Sequence, residues 1–183
     1  MRDVSREPVS SWRLIPEKAH IQTAPGVTLS DSQHTIVSSI LDLFAGSPSL
    51  PKLALWRDDA TFADNLTVAE GRERYSAQWY GLKQVFSEID QLSYQVRDAG
   101  NPIVMDLRTR YIVKGINKEM TVQSVVNVHL DGEGKISKVE DKWDGELPEG
   151  SVANAFRRLR GVAAPKMVSV PKDDAEDAEK GNQ

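Results

Sequence analysis

The chain of 183 residues has no cysteine, which removes disulfides, thiolate metal sites and cysteine nucleophiles from consideration. Histidine is nearly as scarce. His20, His34 and His129 are all there is, no two of them at metal-ligand spacing, so no metal is expected. No apolar run approaches the ~18–20 residues that cross a bilayer. Met1 to Pro8 lacks the apolar core of a secretory signal, and its acids argue against a transit peptide. These absences predict a cytoplasmic protein with no membrane partner. Strong charge is missing too. Of the net −4, −3 falls between Lys172 and Gln183, and the remaining −1 leaves no electrostatic footprint for nucleic acid. There is no P-loop, G-x-G-x-x-G, G-x-S-x-G or H-E-x-x-H pattern, so nucleotide binding, triad hydrolysis and zinc proteolysis find no support, and no cofactor is expected.

What is present is an ordinary balance of 39% apolar and 27% charged residues, enough for one sizeable core. Residues 1–29, with Pro8, Pro16 and Pro25, read as an extended arm pinned through Trp12. Ser30-Asp-Ser-Gln33 is a capping box, and Ile36, Val37, Ile40, Leu41 and Phe44 form the apolar stripe of the helix it opens, with Gly46 as its stop. A short helix is expected from Ser47 to near Trp56, then a short strand over 59–65. A long helix follows from about Glu70 to Phe86, carrying Tyr75, Trp79, Leu82 and Phe86 on one face. Turn signals at 99–102, 115–118 and 131–134 then separate four strand-length runs, about 88–98, 103–114, 119–130 and 135–144. Ser151 is placed to cap a last helix, 152–160. The fold class is therefore α+β, a curved antiparallel sheet wrapped around a long helix, over residues 30–171. Residues 172–183 read as a disordered acidic tail.

Period-2 alternation assigns the sheet faces. Ile103, Met105, Leu107, Thr109, Tyr111 and Val113 share an inner face, as do Met120, Val122, Ser124, Val126, Val128 and Leu130. Asp64 lies on the face of Ala60 and Phe62, and Asp141 on that of Val139 and Trp143. A carboxylate on an apolar face is hydrogen-bonded, neutralised or sited at a cavity. Asp64 has the plain alternative of capping its turn, and Asp141 that of pairing with a buried arginine. Two of them facing one cavity suit a division into general base and general acid. His129 falls on the outer face.

The element order, together with Leu55-Trp-Arg-Asp-Asp-Ala-Thr-Phe-Ala-Asp64, Glu70-Gly71 and Gly134-Lys-Ile-Ser-Lys-Val-Glu-Asp-Lys-Trp-Asp144, resembles the nuclear transport factor 2-like superfamily. Within it the two stretches look like the SnoaL-like, polyketide cyclase-like branch. The resemblance covers about residues 30–145. It implies a cone-like fold, a pocket between the long helix and the concave sheet, and a homodimer packed through the sheet's outer face. It implies no single reaction, since the scaffold serves enzymes, binders and adaptors. Asn65 stands where SnoaL-like sequences commonly have proline. On this reading the chain binds a small hydrophobic molecule. If it is catalytic, Asp64 or Asp141 takes a proton, Tyr111 supports the oxyanion, and Tyr75, Trp79, Tyr94, Ser124 and Trp143 contact the ligand. The other reading is a non-catalytic interaction or dimerisation module with a vestigial pocket, exposing Val104, Ile112 and Val125.

Overall fold

Ser30 opens the first helix as its side chain requires. Its Oγ accepts from the Gln33 N–H at 3.2 Å, and Gln33 Oε1 accepts from the Ser30 N–H at 2.9 Å. This box caps α1 (Asp31–Phe44) in the computed structural model, which describes residues 20–145, 149–162 and 166–180. The predicted stripe of α1 is buried throughout, and Gly46 ends the turn at φ 75°, a value that favours glycine. The second helix, α2 (Leu50–Leu53), is shorter than expected. Trp56 leaves it to begin β1 (Trp56–Asp64).

Val68–Glu70 forms β2, a strand that helical periodicity assigned in part to the long helix. Ladder pairing wins there because Glu70 lies opposite Thr61, and the Gly71 N–H donates to the Ala60 carbonyl at 2.9 Å. The long helix, α3 (Arg72–Val85), starts just after that bond. The meander follows its turn signals closely as β3 (Phe86–Asp98), β4 (Ile103–Val113), β5 (Lys118–Leu130) and β6 (Ile136–Trp143). The result is an open six-stranded sheet in the order β2-β1-β6-β5-β4-β3, antiparallel except for the parallel β1–β6 pair. Three register shifts interrupt β3 against β4. Bulges bend a strand and increase its twist, so they help to curl this sheet around α3.

The inner-face assignment holds along the meander: Ile103, Met105, Leu107, Thr109, Tyr111 and Val113 are all buried. His129 faces outward and pairs with Glu140 at 2.9 Å, which with Lys138 keeps the Glu140 carboxyl below its usual value. Among the described residues no helix is long and apolar enough to cross a membrane. The part of the arm that is described, from His20 onward, adds to the sheet edge. Thr23 pairs in parallel with Val96, and the Val96 N–H and C=O bond Gln22 and Ala24. Trp12 lies outside the described residues.

Two expectations about the C-terminal part are corrected. The last helix, α4 (Gly150–Val162), begins before Ser151, which therefore sits inside its first turn instead of capping it. Residues 174–179, expected within a disordered tail, form α5 (Asp174–Glu179), capped by Asp173. Composition misled here because one acid of the run is not solvated. Asp177 is only 2% exposed and accepts from the Tyr80 hydroxyl at 2.7 Å and the Leu50 N–H at 2.8 Å. Burial, and then this carboxylate, hold the Tyr80 hydroxyl firmly protonated. Asp177→Ala leaves both donors without an acceptor and is expected to cost about 2 kcal/mol in urea unfolding. A change within a few tenths of that of a surface substitution would show that α5 does not dock.

Candidate functional site

Parity put Asp64 and Asp141 on inner faces, and the parallel β1–β6 pair makes them register neighbours, Asp64 opposite Asp141. Adjacent strands lie about 4.8 Å apart, so the two carboxyls share one end of the sheet. Asn65 fastens that end. Its Oδ1 accepts from the Trp143 N–H at 3.1 Å and its Nδ2 donates to the Trp143 carbonyl at 3.5 Å.

The two aspartates have different environments. Asp64 is half-buried and caps the turn after β1, with Oδ1 accepting from the Leu66 and Thr67 N–H groups at 2.7 and 2.6 Å. The plain alternative for Asp64 is thus what the geometry shows. Asp141 is 6% exposed. Its Oδ2 accepts from the Trp143 indole N–H at 2.7 Å, while Oδ1 has no hydrogen-bond partner, and no buried arginine among the described residues pairs with it. Burial pushes the Asp141 carboxyl up to about 6, and the neighbouring charge of Asp64 adds to the rise. The Ser124 hydroxyl, buried nearby, pulls the other way, and so to a smaller extent does the Trp143 indole.

Tyr111 is within electrostatic reach of both carboxyls. Its hydroxyl is pushed well above its ordinary value, first by burial and then by the charges of Asp141 and Asp64, so it stays a proton donor at neutral pH. Asp64, Asp141, Tyr111, Ser124 and Trp143 therefore belong to one corner of the concave face. The other three predicted ligand contacts lie elsewhere. Tyr75 and Trp79 pack in a separate aromatic cluster, Tyr75 stacked on Trp56 at 4.8 Å and Trp79 against Phe62 and Phe44 at 4.7 and 5.1 Å. The Tyr75 hydroxyl donates to the Arg57 carbonyl at 3.0 Å. Tyr94, opposite Leu107 on the edge strand, is half-buried beside a groove lined by Gln22, Asp106 and Gln123.

Sequence reasoning did not assign Phe156 to this corner. The apolar stripe of α4 contains Val152, Phe156 and Leu159, all buried. A stripe of that kind needs a partner, and here it is chiefly α3, with Phe156 reaching past it onto the concave face. The Phe156 ring lies 4.9 Å from Trp143, 5.2 Å from Phe86 and 6.0 Å from Tyr111. The seat predicted for a ligand ring is thus held by a ring of the chain itself. A solvent cleft of about 640 Å³ lies at the other end of β1, beside Trp56 and the β5–β6 turn. Its arginines are already paired, Arg57 with Asp59 and Asp131, and Arg72 with Asp58, so the chemistry is better served by the Asp141 corner.

No family model matches the chain, and no curated protein matches it in sequence. Solved structures match it in fold. An NTF2-like protein from Anabaena variabilis superposes with a TM-score of 0.55 at 16% identity, over 67% of this chain and 97% of that one. A steroid delta-isomerase from Pseudomonas aeruginosa gives 0.53 at 15% identity, over 74% and 93%. An NTF2-like protein of unknown function from an Exiguobacterium species gives 0.50 at 15%, over 61% and 99%. At these identities the likeness is one of architecture, carried by the same curved sheet and helices described above. The chain has the nuclear transport factor 2-like fold.

Proposed function

We propose that this chain binds a small hydrophobic ring molecule in the concave corner, in the manner of SnoaL-like proteins, and that Asp141 exchanges a proton with it without a cofactor. The observation that carries this reading is the Asp141 carboxyl. It is buried on an aromatic-walled face, one oxygen is held by an indole N–H and the other is unpartnered, and its pKa is pushed to about 6. A group that titrates near neutrality serves as base and acid in turn, whereas an ordinary aspartate is too weak a base. Tyr111, kept protonated, supplies the donor for an oxygen that gains charge. Asp64 holds its turn and contributes field, so the role of base falls to Asp141. The pairing suits acid–base work of the isomerase, cyclase or dehydratase type.

The second reading is an interaction module with a closed interior, favoured by the occupation of the corner by Phe156. Its contact surface would be the outer sheet face, where Val104, Ile112 and Val125 are only half-buried. In either reading we place a homodimer on that face.

A thermal-shift screen of ring compounds against wild type and Asp141→Asn separates the two readings, each protein being compared with its own ligand-free state. A ligand at a hundredfold excess over its Kd stabilises by about 2.7 kcal/mol. Stabilisation of wild type that is altered by Asp141→Asn supports the site. Exchange of a carbon-bound hydrogen of the ligand with D2O, rising through a midpoint near pH 6, would establish proton transfer. If no compound stabilises wild type, and none stabilises a Phe156 variant either, the interaction module is the surviving reading.

A further inference from the structure

Phe156 sits in a cage that other elements build. Phe86 comes from the α3–β3 junction, Tyr111 from β4 and Trp143 from β6, and all three meet the Phe156 ring tilted or edge-on at 4.9–6.0 Å. Trp143 is held independently of α4, by Asp141 at its indole and by Asn65 at its backbone. The ring faces of such a cage carry negative potential. The carboxyl attached to it, Asp141, has no ion pair among the described residues and one oxygen without a donor, and the charge that acts on it most is the like charge of Asp64. A buried carboxylate oxygen with no donor is costly, and a cationic donor relieves both the missing hydrogen bond and the charge.

We propose that the occupant of this corner is an aromatic molecule carrying an ammonium group: its ring takes the place of Phe156 between Phe86, Tyr111 and Trp143, and its N–H donates to Oδ1 of Asp141. The proposal rests on the reading that the corner binds a small molecule, and adds the chemical class. A neutral alcohol would satisfy the oxygen and leave the charge. An anion would meet two carboxyls. The element that yields is α4, whose first residue, Gly150, has φ 64° with open space around it, and whose outer face carries exposed Asn154, Arg157 and Arg158. When the ligand ring arrives, Phe156 is exchanged for a ring of similar size, so the cage keeps its aromatic contacts.

The test is calorimetric titration of the full chain near neutral pH with 2-phenylethylamine, 2-phenylethanol and 3-phenylpropionate, which share a ring and differ in charge. The proteins are wild type, Phe156→Ala, the milder Phe156→Leu in case the alanine variant does not fold, and Asp141→Asn. The amine is expected to bind wild type, and to bind the Phe156 variants about tenfold tighter because no ring has to be displaced. The alcohol is expected to bind about tenfold more weakly than the amine wherever Asp141 is present, and the carboxylate not at all. In Asp141→Asn the amine loses its advantage over the alcohol. Equal binding of amine and alcohol to wild type overturns the charge class while leaving a binding corner. Undiminished amine binding by Asp141→Asn overturns it as well. Failure of all three compounds on both Phe156 variants removes the corner itself, and the proposed function with it.

Discussion

Asp141→Asn is expected to be more stable than wild type at pH 8 and no more stable at pH 4. In the folded chain burial raises the Asp141 carboxyl from 3.8 to about 6. Between those values the native state binds more protons than the unfolded state, so stability falls as pH rises. Well below pH 4 both states are protonated and nothing is lost, and at pH 4 itself little is. Above pH 6 the loss is complete, and two pKa units and a little more correspond to about 3 kcal/mol. Asparagine keeps an acceptor for the Trp143 indole and carries no charge, so it escapes that loss. For a chain of this size the gain corresponds to a rise in Tm on the order of 6–12 °C at pH 8. Thermal melts of both proteins between pH 4 and pH 8 measure it. Parallel curves, with asparagine lower throughout, would mean that the charge of Asp141 is matched in the folded chain. A gain of this kind is the signature of a site in which stability has been given up for function.

The second large effect is expected at Phe156. Its ring is buried against three others, so Phe156→Ala removes both the transfer free energy of the ring and the contacts around the void. Such truncations cost about 3–5 kcal/mol. The void is walled by aromatic rings and is about the size of a benzene molecule, so benzene is expected to restore part of the lost stability, as small apolar solutes do in engineered cavities. Urea titration with and without benzene checks both statements. A cost below about 1 kcal/mol would show that α4 contributes little to the closed form. A full cost without rescue by benzene would show that the cage collapses once the ring is gone, which would also weaken its use as a ligand seat.

Much of the fold was legible because the signals are local. The capping box at Ser30 and Gln33 concerns four consecutive residues. The turns near Asn101, Asn117 and Gly134 divide the meander at the right places. The alternation along 103–113 sorts buried from exposed side chains without knowledge of any partner strand. The same rule placed Asp64, Asp141, Tyr111, Ser124 and Trp143 on inner faces. Helical spacing gave Tyr75 and Trp79 a common face as well, and nothing local showed that these two and Tyr94 pack away from the Asp141 corner. Parity names the face of a sheet and not the position on it.

What the amino-acid sequence determined by itself, then, is the order of elements, the phase of each strand and the inward aim of the two aspartates. These follow from backbone periodicity and from the φ, ψ preferences of a few turn residues. Tertiary structure alone decided three things. It made Asp64 and Asp141 neighbours through the parallel β1–β6 pair, it set Phe156 into the aromatic corner, and it buried Asp177 against Tyr80 and Leu50. Each brings together residues far apart in the chain, such as Asp64 and Asp141, Phe86 and Phe156, or Tyr80 and Asp177, and no local propensity encodes the free energy of such a contact. It arises only when distant apolar faces and unsatisfied donors are brought together out of water, which is why an acidic run that looks solvated ends with one carboxylate in the core.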